Sequence, residues 1–368
     1  MTSEIGKKVH QVSTPAVVVD LDVIERNLAH MAAYCRTHGL ALRPHTKTHK
    51  TIEAAKMQLA SGAIGLTVAK VGEAEVMAAS GAREILVAHP IVGDEKLRRL
   101  AVLTSKVRII IAVDSLRAAE GLSQIALECN THFDVLVEFD SGSKRCGVVA
   151  GEPTAQLGEA VAALKGIRLC GLFTYFGSVW GDEGERVLEM ERAREDVAAT
   201  LAAFRAKGLS TEIVSAGSTP AAEMTHWIDG ITEIRPGTYI YNDLNTTYQG
   251  LCSLNHCAVR VVTTVISTAV PGQVIVDAGS KTLSSDLCSA GPKSGYGKLM
   301  ECEATLKKLN EEHGYVTAED LSAFEVGQVY TIIPNHVCTC INMHDEVLLA
   351  RHGEIVGTWK VAARGKVR

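Results

Sequence analysis

The chain has 368 residues, 46% of them hydrophobic and 21% charged, enough to bury a large core and to divide into about two domains. Its 37 Lys and Arg interleave with 42 Asp and Glu for a net charge of −5, so no one-sided cationic field is offered to nucleic acid or anionic lipid. The longest apolar runs are strand-length, the N-terminus MTSEIGKKVH lacks the apolar core of a signal peptide, and ten cysteines fall at irregular spacings; the expectation is a reduced, cytoplasmic protein with neither nucleic-acid nor membrane partner.

In chain order, TPAVVVDLD (14–22) is predicted as a strand and VIERNLAHMAAYCRTHG (23–39) as an amphipathic helix ending at Gly39. Eight short apolar runs then alternate with helical segments: ALRPH (41–45), IGLTVA (64–69), EILVAH (84–89), VRIIIAVD (107–114), FDVLVEFD (133–140), IRLCGLFTY (167–175), TEIVSAG (211–217) and ITEIRPG (231–237). Between them VGEAEVMAASGA (71–82) and RVLEMERAREDVAATLAAFRAKG (186–208) read as amphipathic helices. Eight βα units over about 200 residues, with no GxGxxG after the first strand, predict a TIM (β/α)8 barrel rather than an open doubly wound sheet. From about residue 250 the pattern becomes alternating strands: AVRVVTTVIST, GQVIVDAG, VYTIIPNHVCTC and EVLLARHGEIVGTWKVAARGK. The expected architecture is α/β, with a barrel over 23–245 and a β domain made of 246–368 and 1–22.

The chemistry-bearing residues cluster in a few motifs. RPHTKTHK (43–50) gathers two His, two Lys and an Arg at the C-terminal end of the first barrel strand, the end at which barrel enzymes keep their active sites. If the extended backbone continues, Arg43, His45 and Lys47 project to one side and Thr46 and Lys50 to the other. Lys47 is then the inward amine, and a desolvated lysine flanked by cations loses its proton readily enough to form a Schiff base with an aldehyde. The alternative is a solvated basic loop. DSGSKRCGV (140–148) closes the fifth strand with Lys144 and Arg145; a buried Arg145 would pair with a phenolate or carboxylate of a ligand, and the alternative is a surface turn.

SAGSTPA (215–221) follows the seventh strand, and Gly217, Ser218 and Thr219 before Pro220 read as a phosphate cradle at a helix start. A simple capped turn has the same composition, but the neighbouring EIRPGTYIYND (233–243), with Gly237, Tyr239 and Tyr241, strengthens the reading. In PNHVCTCINMHD (334–345), His336, Cys338 and Cys340 fall on one face of a predicted strand. Imidazole with thiolate selects a borderline-soft cation, zinc above all, and two firm ligands leave positions open for catalysis. Packing roles for buried Cys and His are the alternative. Asp277 and Lys281 in VDAGSK and His313 in EEHG add titratable groups to the same domain.

Through these motifs the chain resembles the metal-dependent branch of the fold-type III pyridoxal-phosphate (PLP) enzymes, which share the alanine racemase fold: D-threonine aldolase, D-serine dehydratase and D-threo-3-hydroxyaspartate dehydratase. The resemblance runs nearly end to end, through TPAVVVDLDVIERNL, RPHTKTHK, AKVGEAEV, FDSGSKRCGV, GLFTYFGS, SAGSTP, EIRPGTYIYND, VDAGSK, EEHG, PNHVC and TWKVAARG. It implies that Lys47 carries PLP as a Schiff base, Arg145 approaches the ring, and Tyr175 lines the pocket. Gly217, Ser218 and Thr219 would hold the phosphate, with Gly237 and Tyr239 beside them. His336 and Cys338 would hold a divalent metal, zinc ahead of manganese or magnesium. A small D-amino acid substrate and a homodimer are implied with them.

In such an enzyme PLP draws charge from Cα of a D-3-hydroxy amino acid, and the metal takes the β-hydroxyl as a Lewis acid. Removal of the Cα proton by Lys47 and departure of the hydroxyl give a keto acid and ammonia; cleavage of Cα–Cβ gives glycine and an aldehyde. His-x-Cys resembles the dehydratases and the aldolases carry His-x-Asp, so dehydration is expected and retro-aldol cleavage is the alternative, favoured by the aldolase-like tail TWKVAARG. The segment YFGS departs from both branches: the aldolases have a His in place of Phe176, and the dehydratases tend to have one in place of Tyr175. A pocket without that His has lost a proton-handling group or moved its role to His45, His49 or His313. An amino-acid racemase would have no use for His336 and Cys338, and a non-catalytic PLP-binding protein would end after the barrel.

Overall fold

The computed structural model describes residues 4–288 and 295–368. The apolar runs form strands β1 (Ala16–Asp20), β2 (Ala41–Leu42), β3 (Leu66–Val68), β4 (Glu84–Val87), β5 (Arg108–Val113), β6 (Phe133–Asp140), β7 (Val148–Val149), β8 (Ile167–Phe173), β9 (Ile213–Ala216) and β10 (Glu233–Ile234). Two compact units emerge: His30–Lys47, Ile52–Gly237 and Gly365–Arg368 form the first, and residues up to Ala29, Thr48–Thr51 and Thr238–Arg364 form the second.

In the first unit all eight expected strands pair in parallel in the order β2-β10-β9-β8-β6-β5-β4-β3, with β7 appended to β6. Main-chain bonds close the cylinder between β2 and β3: Ile64 N to Leu42 O and Thr67 N to Pro44 O, both 2.9 Å, and Thr46 N to Thr67 O, 2.8 Å. This is the (β/α)8 barrel the sequence predicts. Leu86, Ile110, Ala112, Leu136, Cys170, Phe173 and Ile213 pack into one buried cluster, as expected of parallel strands covered on both faces. ALRPH yields only the two residues of β2 as strand, because Pro44 has no N–H to donate and the chain turns from Thr46 to His49. The side-to-side alternation expected over 43–50 therefore stops at His45.

Ion pairs fill part of the barrel. Arg43, 1% exposed, donates from Nε to Glu233 at 3.0 Å and from Nη2 to Glu84 at 2.8 Å. Glu84 also accepts from Arg108, which shares Asp134 with Arg168. Gly65 is the residue that leaves room: a Cβ there would lie 2.5 Å from Arg43 Nη1 and 2.7 Å from Glu84 O.

The second unit adds β11 (Val259–Ser267), β12 (Val274–Val276), β13 (Gly297–Leu299), β14 (Ala304–Leu309), β15 (Gly314–Ala318), β16 (Val329–Pro334), β17 (Glu346–Arg351) and β18 (Glu354–Lys360). Their order is β12-β15-β14-β13-β16-β11-β1-β17-β18, and β12 also pairs with β11, so six of the strands close on themselves. β1 lies between β11, antiparallel, and β17, parallel. One predicted strand is cut short: VYTIIPNHVCTC leaves the sheet at Pro334, and Val337–Ile341 is a short helix. Asp243 Oδ2 accepts from Val337 N at 3.0 Å and so supplies a helix-start acceptor that no strand would need. His336, Cys338 and Cys340 therefore do not share a strand face, and Cys340 is buried with its Sγ on Thr282 O at 3.3 Å. Among the described residues no helix is long and apolar enough to cross a membrane.

Arg43→Ala leaves Glu233 buried without its counter-charge, so the urea-unfolding free energy of the barrel is expected to fall by about 3–5 kcal/mol. A loss under about 1 kcal/mol would show that water or a rearranged Arg108 replaces the pair.

Candidate active site

Within the barrel unit, the turn after β2 sets the lysine. Thr46 Oγ1 donates to Thr67 O at 3.2 Å and Lys47 N donates to His45 Nδ1 at 3.3 Å, which fixes the main chain on either side of Lys47. The half-buried Lys47 carries its Nζ 5.9 Å from the centroid of the Tyr175 ring, and the Arg145 guanidinium lies 4.4 Å from the same centroid. Tyr175 is held by Ser143 Oγ, which donates to its carbonyl at 3.1 Å. A Cβ on Gly177 would come within 2.3 Å of the ring, so only glycine lets the ring lie against this stretch of chain. Arg145 itself is exposed, a correction to the buried arginine expected: Asp140 Oδ1 takes Lys144 N at 2.9 Å and tightens the loop into a turn that holds Arg145 at the surface over Tyr175.

After β9, Gly217 adopts φ +100°, a left-handed conformation that favours glycine. Ser218 Oγ donates to Phe176 O at 3.0 Å, so its proton is engaged within the protein. Thr219 Oγ1 accepts from Gly237 N at 3.2 Å and keeps its own proton for an incoming anion. The turn is thereby tied to the end of β10, and the helix that follows it is of the 3-10 type, Ala222–Trp227.

Two buried charges underlie this pocket. Arg235 stacks 3.8 Å from the Phe173 ring centroid and donates to Ser215 Oγ at 2.7 Å and to Thr174 O; burial draws its pKa down to about 10. Glu138, 3% exposed, points into the barrel from β6, and its Oε2 has no hydrogen-bond partner among the described residues. Burial pushes its carboxyl up to about 7; Arg235 and Arg145 oppose the rise, while Asp114 and Asp140 add to it. An amine and a guanidinium on one aromatic ring, a free hydroxyl donor and an unpartnered buried carboxyl fit an anionic aromatic aldehyde such as PLP.

In the second unit His336 stands at the start of the Val337–Ile341 helix. Its Nδ1–H donates to Asp286 Oδ2 at 2.7 Å, which also accepts from Thr339 Oγ1 at 2.9 Å. With Nδ1 engaged, a cation would be bound through Nε2. His336 hydrogen-bonds Cys338, whose Sγ lies 3.2 Å from Thr48 Oγ1 and 3.8 Å from Thr238 Oγ1. Burial works to lower the His336 pKa, but Cys338, Asp243 and Asp286 together raise it to about 9. Among the described residues no group of three His, Cys, Asp or Glu is arranged to hold a metal. Imidazole and thiol nevertheless fit a zinc-like cation as two ligands, with the other positions left to water or substrate.

The remaining predicted residues are distributed between the units. His45 is buried next to Lys47 in the barrel. His49 and Tyr239 are buried in the second unit, where His49 Nδ1 accepts from Thr51 N at 3.1 Å and its ring meets Tyr241 edge-on. His313 is exposed in the turn between β14 and β15. Sequence reasoning missed Glu138, Asp243, Asp286 and Thr48. Glu138 had a signal, a carboxylate inside the otherwise apolar run VLVEF; Asp286 had none.

Comparison with known proteins follows the same division. Residues 19–245 match the family model of the alanine racemase N-terminal domain, and residues 258–350 match that of a putative serine dehydratase domain. The chain belongs to this alanine racemase-like family. It is 33% identical to a D-threonine aldolase of Arthrobacter sp over 98% of this chain and 95% of that one. It is 34% identical to the D-threo-3-hydroxyaspartate dehydratase of Delftia sp. (strain HT23) over 88% and 90%. The solved D-threonine aldolase from Filomicrobium marinum superposes with a TM-score of 0.93 at 34% identity and covers 100% of both chains. The Delftia dehydratase gives 0.88 at 32% identity, over 96% of this chain and 98% of that one. Solved structures of D-threo-3-hydroxyaspartate dehydratase also include a His→Ala mutant and a Cys→Ala mutant in a metal-free form, the two altered positions being two residues apart.

Because the Glu138 carboxyl lies near 7 in the folded chain against an ordinary 4.5, the folded protein holds a proton that the unfolded chain has lost between those pH values. Stability therefore falls as pH rises through that window, by about 3 kcal/mol from this group. Glu138→Gln, measured without cofactor, is expected to match the wild type near pH 4.5 and to exceed it in melting temperature above pH 7. Parallel pH profiles for the two proteins would place the titration elsewhere.

Proposed function

We propose that this chain is a PLP-dependent, divalent-metal-assisted lyase acting on D-3-hydroxy amino acids, and that its main reaction is dehydration to a keto acid and ammonia. The observation that carries the reading is the hydrogen-bonded His336–Cys338 pair, its imidazole oriented by Asp286. The similarity to aldolases and dehydratases supports the class but favours neither reaction. The altered His and Cys of the D-threo-3-hydroxyaspartate dehydratase mutants stand at the same two-residue spacing as His336 and Cys338, which supports a metal role and the dehydratase branch.

Bound PLP supplies an electron sink for charge at the substrate Cα, and the metal supplies a Lewis acid for the β-hydroxyl. The protein's part is to hold these groups and to move protons. Lys47 Nζ would hold the cofactor, and as a free amine it would accept the Cα proton of the substrate. Tyr175 and Arg145 wall the pocket, and Thr219 with the Gly217 turn receives the phosphate. His336 and Cys338 hold the cation, zinc ahead of manganese or magnesium because a thiolate is the softer donor. A thiolate also donates more charge to a cation than a carboxylate does, which makes the cation a weaker acid toward the substrate hydroxyl. Retro-aldol cleavage requires that hydroxyl to lose its proton; elimination does not.

The purified protein is expected to absorb in the visible, and borohydride reduction followed by peptide mapping should find the pyridoxyl group on Lys47. Its appearance on Lys50, which has φ +54° and donates from Nζ to Asn342 Oδ1 at 2.8 Å, would reverse the assignment.

Incubation with D-serine, D-threonine and D-threo-3-hydroxyaspartate should give keto acid and ammonia from at least one of them, and chelation should abolish turnover. Cys338→Asp is expected to raise the glycine-and-aldehyde fraction severalfold. Glycine and aldehyde as the dominant wild-type products would make the chain an aldolase, and full activity after chelation would move it to the metal-free racemase class.

A further inference from the structure

The loop from the Leu244–Tyr248 helix to β11 brings two thiols together in the second unit. Its ends are fastened by main-chain contacts that do not involve sulfur. Leu251 N donates to Thr246 O at 3.1 Å, Ala258 N to Tyr241 O at 2.6 Å, and the His256 carbonyl accepts from Asn27 Nδ2 at 2.9 Å. Between these anchors Cys252 and Cys257 are brought to one hydroxyl. Thr247 Oγ1 touches both sulfurs, at 3.8 Å from Cys252 and 3.5 Å from Cys257, and Thr246 Oγ1 lies 3.6 Å from Cys252. The two differ in access: Cys257 is 1% exposed, whereas Cys252 is partly open to solvent.

The surroundings also divide their chemistry. The Cys257 thiol and the hydroxyls of Thr246 and Thr247 hold Cys252 below the usual thiol range, while Cys257 is pushed up by the same contact and by burial. Elsewhere burial pushes Cys35, Cys170 and Cys340 up, which makes them poor nucleophiles.

We propose that Cys252 and Cys257 form a reversible dithiol–disulfide couple that responds to hydrogen peroxide, with Cys252 the attacking sulfur and Cys257 the resolving one. The Cys252 thiolate attacks one peroxide oxygen; an S–O bond forms, the O–O bond breaks and the departing hydroxide is protonated to water. The Cys257 sulfur then attacks the Cys252 sulfenic acid; an S–S bond forms, the S–O bond breaks, and the hydroxyl leaves with the Cys257 proton as a second water. Two thiols lose two electrons in all, and one peroxide becomes two waters.

The test uses the full-length protein, treated with one equivalent of hydrogen peroxide, alkylated with iodoacetamide and peptide-mapped without reduction. The expected first product is a Cys252–Cys257 cross-link that is 2 Da lighter than the dithiol and is lost on treatment with dithiothreitol. In Cys257→Ser, dimedone should label Cys252 as a trapped sulfenic acid. Oxidation of Cys338 or Cys129 ahead of this pair, or no dimedone adduct at Cys252 in a folded Cys257→Ser protein, overturns the proposal. Both readouts are independent of whether the chain is a PLP enzyme.

Discussion

A continuous polar row crosses the barrel interior, and much of the candidate cofactor pocket depends on it. Glu84 accepts from Arg43, Arg43 donates to Glu233, Glu233 accepts from Ser215 Oγ at 2.6 Å, and Ser215 Oγ accepts from Arg235 Nε at 2.7 Å. Away from water such a row is stable only when it is complete, because each charge left without its partner keeps its desolvation cost. The row joins the ends of β2, β9 and β10, and those strands lead into the Lys47 turn, the Gly217–Thr219 turn and Gly237. Registering the three strands by charge thus registers the three segments that would hold an aldehyde, a phosphate and the backbone beside it. Arg235 is the costly member, and Glu138, whose carboxyl burial pushes up to about 7, stands near it.

In the second unit one carboxylate does comparable work. Asp243 Oδ1 accepts from Thr246 N at 3.0 Å and so starts the Leu244–Tyr248 helix, and its Oδ2 accepts from Val337 N at 3.0 Å. A single side chain therefore fixes the main chain next to His336, and Asp286 fixes the imbedded ring nitrogen of His336 itself. His336 is the extended residue just before the short helix and Cys338 lies in its first turn, so the two side chains meet although only two residues separate them.

The barrel was legible because each of its strands is a short apolar run closed by a turn residue, and the run-and-turn rhythm survives in the structure nearly strand for strand. The first motif was legible in composition but not in conformation: RPHTKTHK does gather the lysine and a buried His45, but Pro44 breaks the alternation used to choose Lys47, and Lys47 reaches Tyr175 from a turn. PNHVCTC failed similarly. Its alternation of Cys with β-branched residues looks like a strand, and the acceptor that makes it helical, Asp243, lies more than ninety residues earlier in the chain. Asp286 was invisible for the same reason, since its role exists only through a contact with His336 that spans fifty residues.

The motif YFGS shows how structure changes the meaning of a missing residue. Phe176 is fully buried and its carbonyl accepts from Ser218, so the side chain at that position packs in the core of the barrel unit and a histidine there would have to lose its hydration. Tyr175, by contrast, has both Lys47 Nζ and the Arg145 guanidinium close to its ring. The residue nearest the lysine in this segment is therefore one with a hydroxyl and with two basic side chains close to its ring. Within the barrel unit the imidazole nearest to Lys47 in the chain is His45, whose Nδ1 accepts the Lys47 main-chain N–H. With Nδ1 so occupied, a neutral His45 carries its proton on Nε2, and any proton it passes must pass through that atom.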